Sequence, residues 1–270
     1  MDSITSTLHH LLSHPTILHF TWSPPLTFAS SPHFLFLTLL TYLSLTFLLS
    51  RYFPLFSLPP HFLKPISALH SLLLLLLSLI LALGCSLSIL LQTPNLRHAL
   101  CFPPRTPPSG PLFFWAYLFY LSKILEFFDT FLIILSNSIR RLTFLHVYHH
   151  ATVVIMCYLW LNTSQSLFPI ALVTNASVHV IMYLYYLLCA MGMRPTWKRL
   201  VTDCQIVQFV FSFCVSVFML WYHFTGLGCS GIWGWCFNAV FNFTLLALFV
   251  DFHGKNYHKK RRVEEDDKRL

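Results

Sequence analysis

Seven long apolar stretches alternate with short polar segments along the chain. A helix that spans a bilayer needs about 20 predominantly apolar residues, and each stretch approaches or exceeds this length. We predict membrane spans at 33–53, 66–91, 112–135, 143–161, 167–190, 201–224 and 232–252. The predicted fold class is therefore all-α integral membrane, with seven transmembrane helices.

The composition supports a single membrane domain. Charged residues make up 10% of the chain and hydrophobic residues 56%, whereas a soluble domain carries about 25% charged residues. We expect a lumenal N-terminal segment (1–32), a seven-helix membrane domain (33–252) and a cytosolic tail (253–270) that is too short to fold alone.

The basic residues predict the orientation. Fourteen of the seventeen Lys and Arg residues lie in alternate loops and in the C-terminal tail. The positive-inside rule places these segments in the cytosol, and an odd number of spans then puts the N-terminus in the lumen. This distribution also explains the net charge of +8 without a nucleic-acid partner.

Two cysteines, Cys101 and Cys229, fall in loops on the predicted lumenal side. An oxidising lumen permits a disulfide between them, but the residues alone leave it open whether they pair.

The third span carries charged residues. Lys123, Glu126 and Asp129 are three residues apart and so lie on one stripe of the helix. A charge at a helix centre opposes insertion by about 2.5–3.5 kcal/mol, so these groups must pair or face a polar cavity. A Lys–carboxylate pair that only locks helices together and a functional pocket are compatible interpretations.

Further polar side chains follow helical spacing in the next three spans. These residues are His146, His149 and His150 in span four, Asn175, His179, Tyr183 and Tyr186 in span five, and Gln205 and Gln208 in span six. For the tyrosines, an aromatic packing stripe is an alternative interpretation. In the predicted orientation all sets lie between the bilayer middle and the cytosol, which favours one shared, water-accessible pocket.

Two chemistries use such histidines, and a non-enzymatic role is a further alternative. A neutral imidazole attacks a thioester and forms an acyl-imidazole that remains reactive toward a carbon nucleophile. The HxxHH box at 146–150 is also typical of membrane di-iron desaturases and hydroxylases, but those enzymes need several histidine boxes, and only a weak second pair follows at His253 and His258. A seven-span receptor or proton-coupled transporter is the third alternative.

Four motifs resemble the signature blocks of the ELO family, the fatty acid elongases (3-oxoacyl-CoA synthases) of the endoplasmic reticulum. They are Lys123-x-x-Glu126-x-x-Asp129-Thr130, the 142–152 segment around the HxxHH box, the 175–186 segment, and Thr202-x-x-Gln205-x-x-Gln208-Phe209. The order and spacing match over 123–209, and the number of spans agrees.

The resemblance implies that six of the seven helices form an inverted barrel around a narrow acyl tunnel. It implies the condensation of malonyl-CoA with a long-chain acyl-CoA, without a bound cofactor or metal. His149 would take the acyl group and His179 would act on the malonyl unit, while His146 and His150 would orient neighbours or stabilise charge. The supporting residues would be Lys123, Glu126, Asp129, Asn175, Tyr183, Tyr186, Gln205 and Gln208.

The resemblance also favours the Cys101–Cys229 bridge and residence in the endoplasmic reticulum. The expected partners are the 3-oxoacyl-CoA reductase, the dehydratase and the enoyl reductase of the elongation cycle, and a second copy in a homodimer. Since CoA carries phosphates, candidate contacts are Arg140, Arg141, Arg194, Lys198, Arg199 and Lys255, although the positive-inside rule alone also explains these residues.

Overall fold

The computed structural model describes residues 14–52, 59–92 and 95–255. Within these ranges the regular structure is helical, apart from an isolated bridge between Thr21 and Ser109. In chain order the helices are α1 (Pro15–Leu18), α2 (Pro32–Tyr52), α3 (Pro60–Gln92), α4 (Leu96–Leu100), α5 (Pro111–Leu125), α6 (Phe127–Leu135), α7 (Phe144–Thr163), α8 (Phe168–Ala190), α9 (Lys198–Thr225) and α10 (Ile232–His253).

Six of the described helices are long and apolar enough to cross a membrane: α2, α3, α7, α8, α9 and α10. The predicted all-α integral membrane class is therefore confirmed. Five of these helices begin and end within about three residues of the predicted spans, whereas α3 begins at Pro60, six residues before its predicted span. The predicted lumenal segment before residue 14 and the tail after residue 255 lie outside the described residues.

The third predicted span differs from the expected continuous helix, because it is divided into α5 and α6 at Glu126. Glu126 keeps near-helical angles (φ −62°, ψ −15°), and its N–H donates to the Ser122 carbonyl at 2.9 Å. The Asp129 N–H then donates to the Glu126 carbonyl, three residues back, at 3.0 Å. Such a bond tightens the helix locally, so the interruption is one residue long.

The long helices pack in a closed series of neighbours. Helix α3 packs against α8 and α5, α5 against α7, α7 against α10, α10 against α9, and α9 against α8. We call these six helices the six-helix ring. Helix α2 lies outside it and packs mainly against α6 and α7.

Three loops meet at one end of the ring. Cys101 and Cys229 form a disulfide across 128 residues of sequence. The Ser230 N–H donates to the Phe102 carbonyl at 2.9 Å, and the Ser166 N–H donates to the Ser230 carbonyl at 3.0 Å. The loops of Cys101 and Cys229, which were predicted to lie on the lumenal side, thus meet the loop of Ser166 at a single end.

Aromatic side chains fill the ring near that end. Phe119 of α5 stacks on Trp160 of α7, with ring centres 5.6 Å apart and planes at 12°. Phe168 of α8 lies 6.0 Å from Trp160, and all three side chains are fully buried. The three aromatic side chains therefore pack against one another inside the ring near this end.

Candidate functional site

A buried charged cluster joins α5 to α8. The Lys123 ammonium lies 2.7 Å from Glu126 Oε1, and His179 Nδ1 lies 3.2 Å from the same oxygen. Lys123 Nζ is also 3.3 Å from His179 Nδ1 and 4.4 Å from the centre of the Phe119 ring. The three polar residues are at most 5% exposed. Each charge has a partner here, as burial of charges in a membrane requires.

His179 has a single ring nitrogen in this cluster. Nδ1 either donates a proton to the Glu126 carboxylate or accepts one from Lys123, because one nitrogen cannot do both. In both arrangements Glu126 and Lys123 set which tautomer is present and how the ring is oriented.

Asp129 is the centre of a second polar cluster. Its Oδ1 lies 3.0 Å from His70 Nε2 on α3, and its Oδ2 accepts a hydrogen bond from the Tyr183 hydroxyl on α8 at 2.8 Å. The Tyr186 ring lies 6.0 Å from the Tyr183 ring. Asp129 therefore ties α6 to both α3 and α8.

The three histidines of the HxxHH box lie in the first two turns of α7. Thr143 caps this helix by accepting a hydrogen bond from the His146 N–H at 3.3 Å. His146 Nε2 lies 2.9 Å from Thr130 Oγ1 on α6. The His150 ring is 4.4 Å from the His146 ring and 5.4 Å from the His149 ring. The box is therefore one contiguous group that contacts α6.

A narrow cavity of about 40 Å³ lies between α7, α8, α9 and α10, with His149 in its wall. His149, Val153, Met156 and Trp160 line it along one face of α7, a distance of about 16 Å at 1.5 Å per residue. Its polar lining consists of Thr174, Asn175, Gln208, Ser212, Asn238 and Asn242.

Several polar atoms around this cavity have no hydrogen-bond partner. They are Nδ1 of His149, Oδ1 of Asn175 and Asn238, and Oε1 of Gln208. A buried polar atom left unpaired costs about 1–3 kcal/mol. The arrangement therefore favours a ligand, or water, that offers polar groups beside His149.

The predicted polar residues divide among these clusters. His149, Asn175 and Gln208 line the cavity. The His150 ring adjoins His149, and the His146 ring adjoins His150. Gln205 does not line the cavity, since its amide points at Met182 Sδ, 3.6 Å away. The sequence spacing could not show which of the two glutamines lines the cavity, because both lie near the same face of α9.

The six predicted CoA contacts are exposed. They are Arg140, Arg141, Arg194, Lys198, Arg199 and Lys255. Arg199 lies 3.6 Å from Asp203, and Lys255 lies 2.7 Å from Asp251, so two of the six already have carboxylate partners.

The structure adds polar residues that the sequence did not single out. His70 and Tyr42 reach the site from α3 and α2, and Asn238 and Asn242 reach it from α10. A signal existed for His70, because an ionisable residue within an apolar span is a functional candidate by default. The spacing of four between the two asparagines was a second signal.

Metal binding is the alternative use of the histidines. Among residues 14–52, 59–92 and 95–255, no group of three or more His, Cys, Asp or Glu side chains could hold a metal ion. His253 instead lies 3.0 Å from Asp203, and His258 lies outside the described residues. The di-iron interpretation therefore finds no site in this part of the chain.

The chain is similar to known proteins along most of its length. The sequence profile of the ELO family, described as GNS1/SUR4, matches residues 27–265. "Fatty acid elongase 3-like" of Arabidopsis thaliana is 31% identical over 96% of this chain and 94% of its own length. "Fatty acid elongase A" of Dictyostelium discoideum is 33% identical over 73% of each chain. "Very long chain fatty acid elongase 5" of Xenopus tropicalis is 37% identical over 53% of this chain and 48% of its own. With its family match covering nearly the whole chain, this protein belongs to the ELO (GNS1/SUR4) family.

Proposed function

We propose that the protein is a condensing enzyme of fatty acid elongation. It would join a long-chain acyl-CoA to malonyl-CoA and release 3-oxoacyl-CoA, CO2 and CoA. The observation that carries the proposal is the placement of His149 in the wall of a narrow cavity between four helices, beside unpaired polar atoms. The relatives named as fatty acid elongases support the same reaction class.

In the first step the thioester carbonyl lies beside His149, and the His149 imidazole attacks that carbonyl. A carbon–nitrogen bond forms, the carbon–sulfur bond breaks, and CoA leaves as the thiolate. Asn175 and Gln208 line the same cavity as His149, and their amide N–H groups would donate hydrogen bonds to the oxyanion that develops during the attack.

In the second step the malonyl unit reacts beside His179. Loss of CO2 leaves an enolate, whose carbon attacks the acyl-imidazole and expels the imidazole, so a carbon–carbon bond replaces the carbon–nitrogen bond. His179 would orient the malonyl unit and stabilise the enolate. Glu126 and Lys123 hold its Nδ1 in place, which supports this role because a fixed tautomer leaves Nε2 with one defined function.

The seventh membrane span is formed by α5 and α6 in this proposal. Helices α5 and α6 together cover 111–135, which at 1.5 Å per residue is about 37 Å and exceeds the roughly 30 Å hydrocarbon core. We propose that they cross the bilayer as one interrupted span. This gives seven spans, with the six-helix ring as an inverted barrel around an acyl tunnel and α2 outside it.

We also propose where the protein lies and what it contacts. The protein would lie in the endoplasmic reticulum membrane with its N-terminus in the lumen, and its exposed basic residues would meet the phosphates of CoA. It would need no bound cofactor. The reductase, dehydratase and enoyl reductase that process the 3-oxo product would be its partners, and it would associate as a homodimer.

An incorporation assay tests the reaction class. Membranes containing the wild-type protein are incubated with radiolabelled malonyl-CoA and a panel of acyl-CoAs. We expect label in a product two carbons longer than the primer, and the preferred primer gives the chain length. If the folded protein gives no elongated product with any primer, the proposal is contradicted. Movement of unaltered labelled substrate across vesicles would indicate a transporter instead.

A further inference from the structure

Helix α2 lies outside the six-helix ring, yet one of its side chains reaches inward. Most of its large apolar side chains are exposed, such as Phe36 (64%) and Phe47 (70%). Tyr42, in contrast, is 1% exposed. A helix that served only as a membrane anchor would not need a fully buried polar aromatic residue in its middle.

Tyr42 is held by its ring and by its hydroxyl. The ring stacks on Phe127, with centres 3.9 Å apart and planes at 12°. The hydroxyl lies 3.0 Å from Thr130 Oγ1, and the same Oγ1 lies 2.9 Å from His146 Nε2. A continuous hydrogen-bonded chain thus runs from α2 through α6 to the first histidine of the box.

The chemistry of the three groups favours one direction for this chain. A phenol donates more readily than an aliphatic hydroxyl, and each hydroxyl has one proton to donate. Tyr42 then donates to Thr130, and Thr130 donates to His146 Nε2. In this direction both hydroxyl protons are used, and the His146 proton must reside on Nδ1.

We propose that Tyr42 is a positioning residue of the site, which acts through Thr130 to fix the tautomer and ring orientation of His146. The His146 ring in turn packs at 4.4 Å against His150, whose ring lies 5.4 Å from that of His149. The inference rests on the proposed function for its kinetic consequence. It gives the outer helix a part in the catalytic geometry.

The test compares Tyr42→Phe with Tyr52→Phe. Phenylalanine at 42 keeps the stack on Phe127 and removes only the hydroxyl, while Tyr52 is an exposed tyrosine of the same helix (65%). We expect Tyr42→Phe to lower kcat by about threefold to tenfold, the loss of one hydrogen bond, with KM unchanged for both substrates. Tyr52→Phe should match the wild type.

A double-mutant cycle separates this chain from simple packing. Thr130→Val keeps the side-chain shape and breaks the same chain, so the double variant Tyr42→Phe/Thr130→Val should be no less active than Thr130→Val alone. The proposal would be overturned if the two single-variant losses in kcat multiplied in the double variant, or if Tyr42→Phe kept wild-type kcat. Neither result would contradict the proposed elongase function.

A second measurement does not depend on activity. Diethyl pyrocarbonate modifies neutral, unbonded imidazole nitrogens, and mass spectrometry locates the product. Without Tyr42, Thr130 can accept from the His146 ring instead of donating to it, which leaves a lone pair on Nδ1. We therefore expect faster modification of His146 in Tyr42→Phe than in the wild type or Tyr52→Phe. Equal rates in all three would overturn the proposal. If the wild type makes no elongated product, the proposed function fails, and this comparison still decides whether Tyr42 holds His146.

Discussion

Replacing His149 with alanine should abolish elongation, with kcat falling by about 10³-fold or more, as expected for loss of a covalent nucleophile. His149 is the histidine of the box that lines the cavity, so no neighbouring imidazole occupies the same position relative to the acyl chain. Incorporation of labelled malonyl-CoA into purified variant and wild-type protein measures the effect.

A matched control separates this effect from general damage. His33 is exposed on α2, and His33→Ala should retain wild-type incorporation. Size-exclusion profiles in detergent should be the same for both variants and the wild type. Substantial product from a folded His149→Ala protein would show that the acyl group is carried elsewhere.

The second large effect concerns the buried pair of Lys123 and Glu126, which lie 2.7 Å apart and are both almost inaccessible. Lys123→Met leaves the Glu126 carboxylate buried and without its main partner. Breaking a buried ion pair from one side costs about 3–5 kcal/mol in the free energy of unfolding. We therefore expect a large fall in thermal stability in detergent and a low yield of folded protein.

The double variant Lys123→Met/Glu126→Gln removes both charges and should recover most of the stability, because no unpaired charge remains. It should still be inactive, since His179 loses the carboxylate that holds its Nδ1. Lys64→Met is the matched control, because Lys64 is exposed on α3. A double variant as unstable as Lys123→Met would assign the loss to Lys123 packing over the Phe119 ring.

The helices could be predicted because a bilayer imposes their length and apolar character. Span 201–224 became Lys198–Thr225, and span 232–252 became Ile232–His253. Much of the candidate site could be predicted for the same reason. Burying a charged or polar side chain at membrane depth is unfavourable in free energy unless the group is paired. Partners for Lys123 and Glu126 could therefore be expected.

The remaining features depend on packing between distant segments, which periodicity does not encode. Nothing in the pattern distinguishes Tyr42 from a lipid-facing tyrosine, because its burial depends on where α6 lies. The interruption at Glu126 is similar, since a tightened turn of one residue leaves the apolar period unchanged. The contact of His70 with Asp129 spans 59 residues and required the position of α3.

Trapping the acyl group on the enzyme tests the proposed acyl-imidazole most directly. Purified protein is incubated with its preferred acyl-CoA in the absence of malonyl-CoA, then digested and analysed by mass spectrometry. We expect an acyl mass increment on His149 that disappears when malonyl-CoA is added, as 3-oxoacyl-CoA forms. An active enzyme that carries no acyl increment, or carries it on another residue, would contradict the acyl-imidazole at His149.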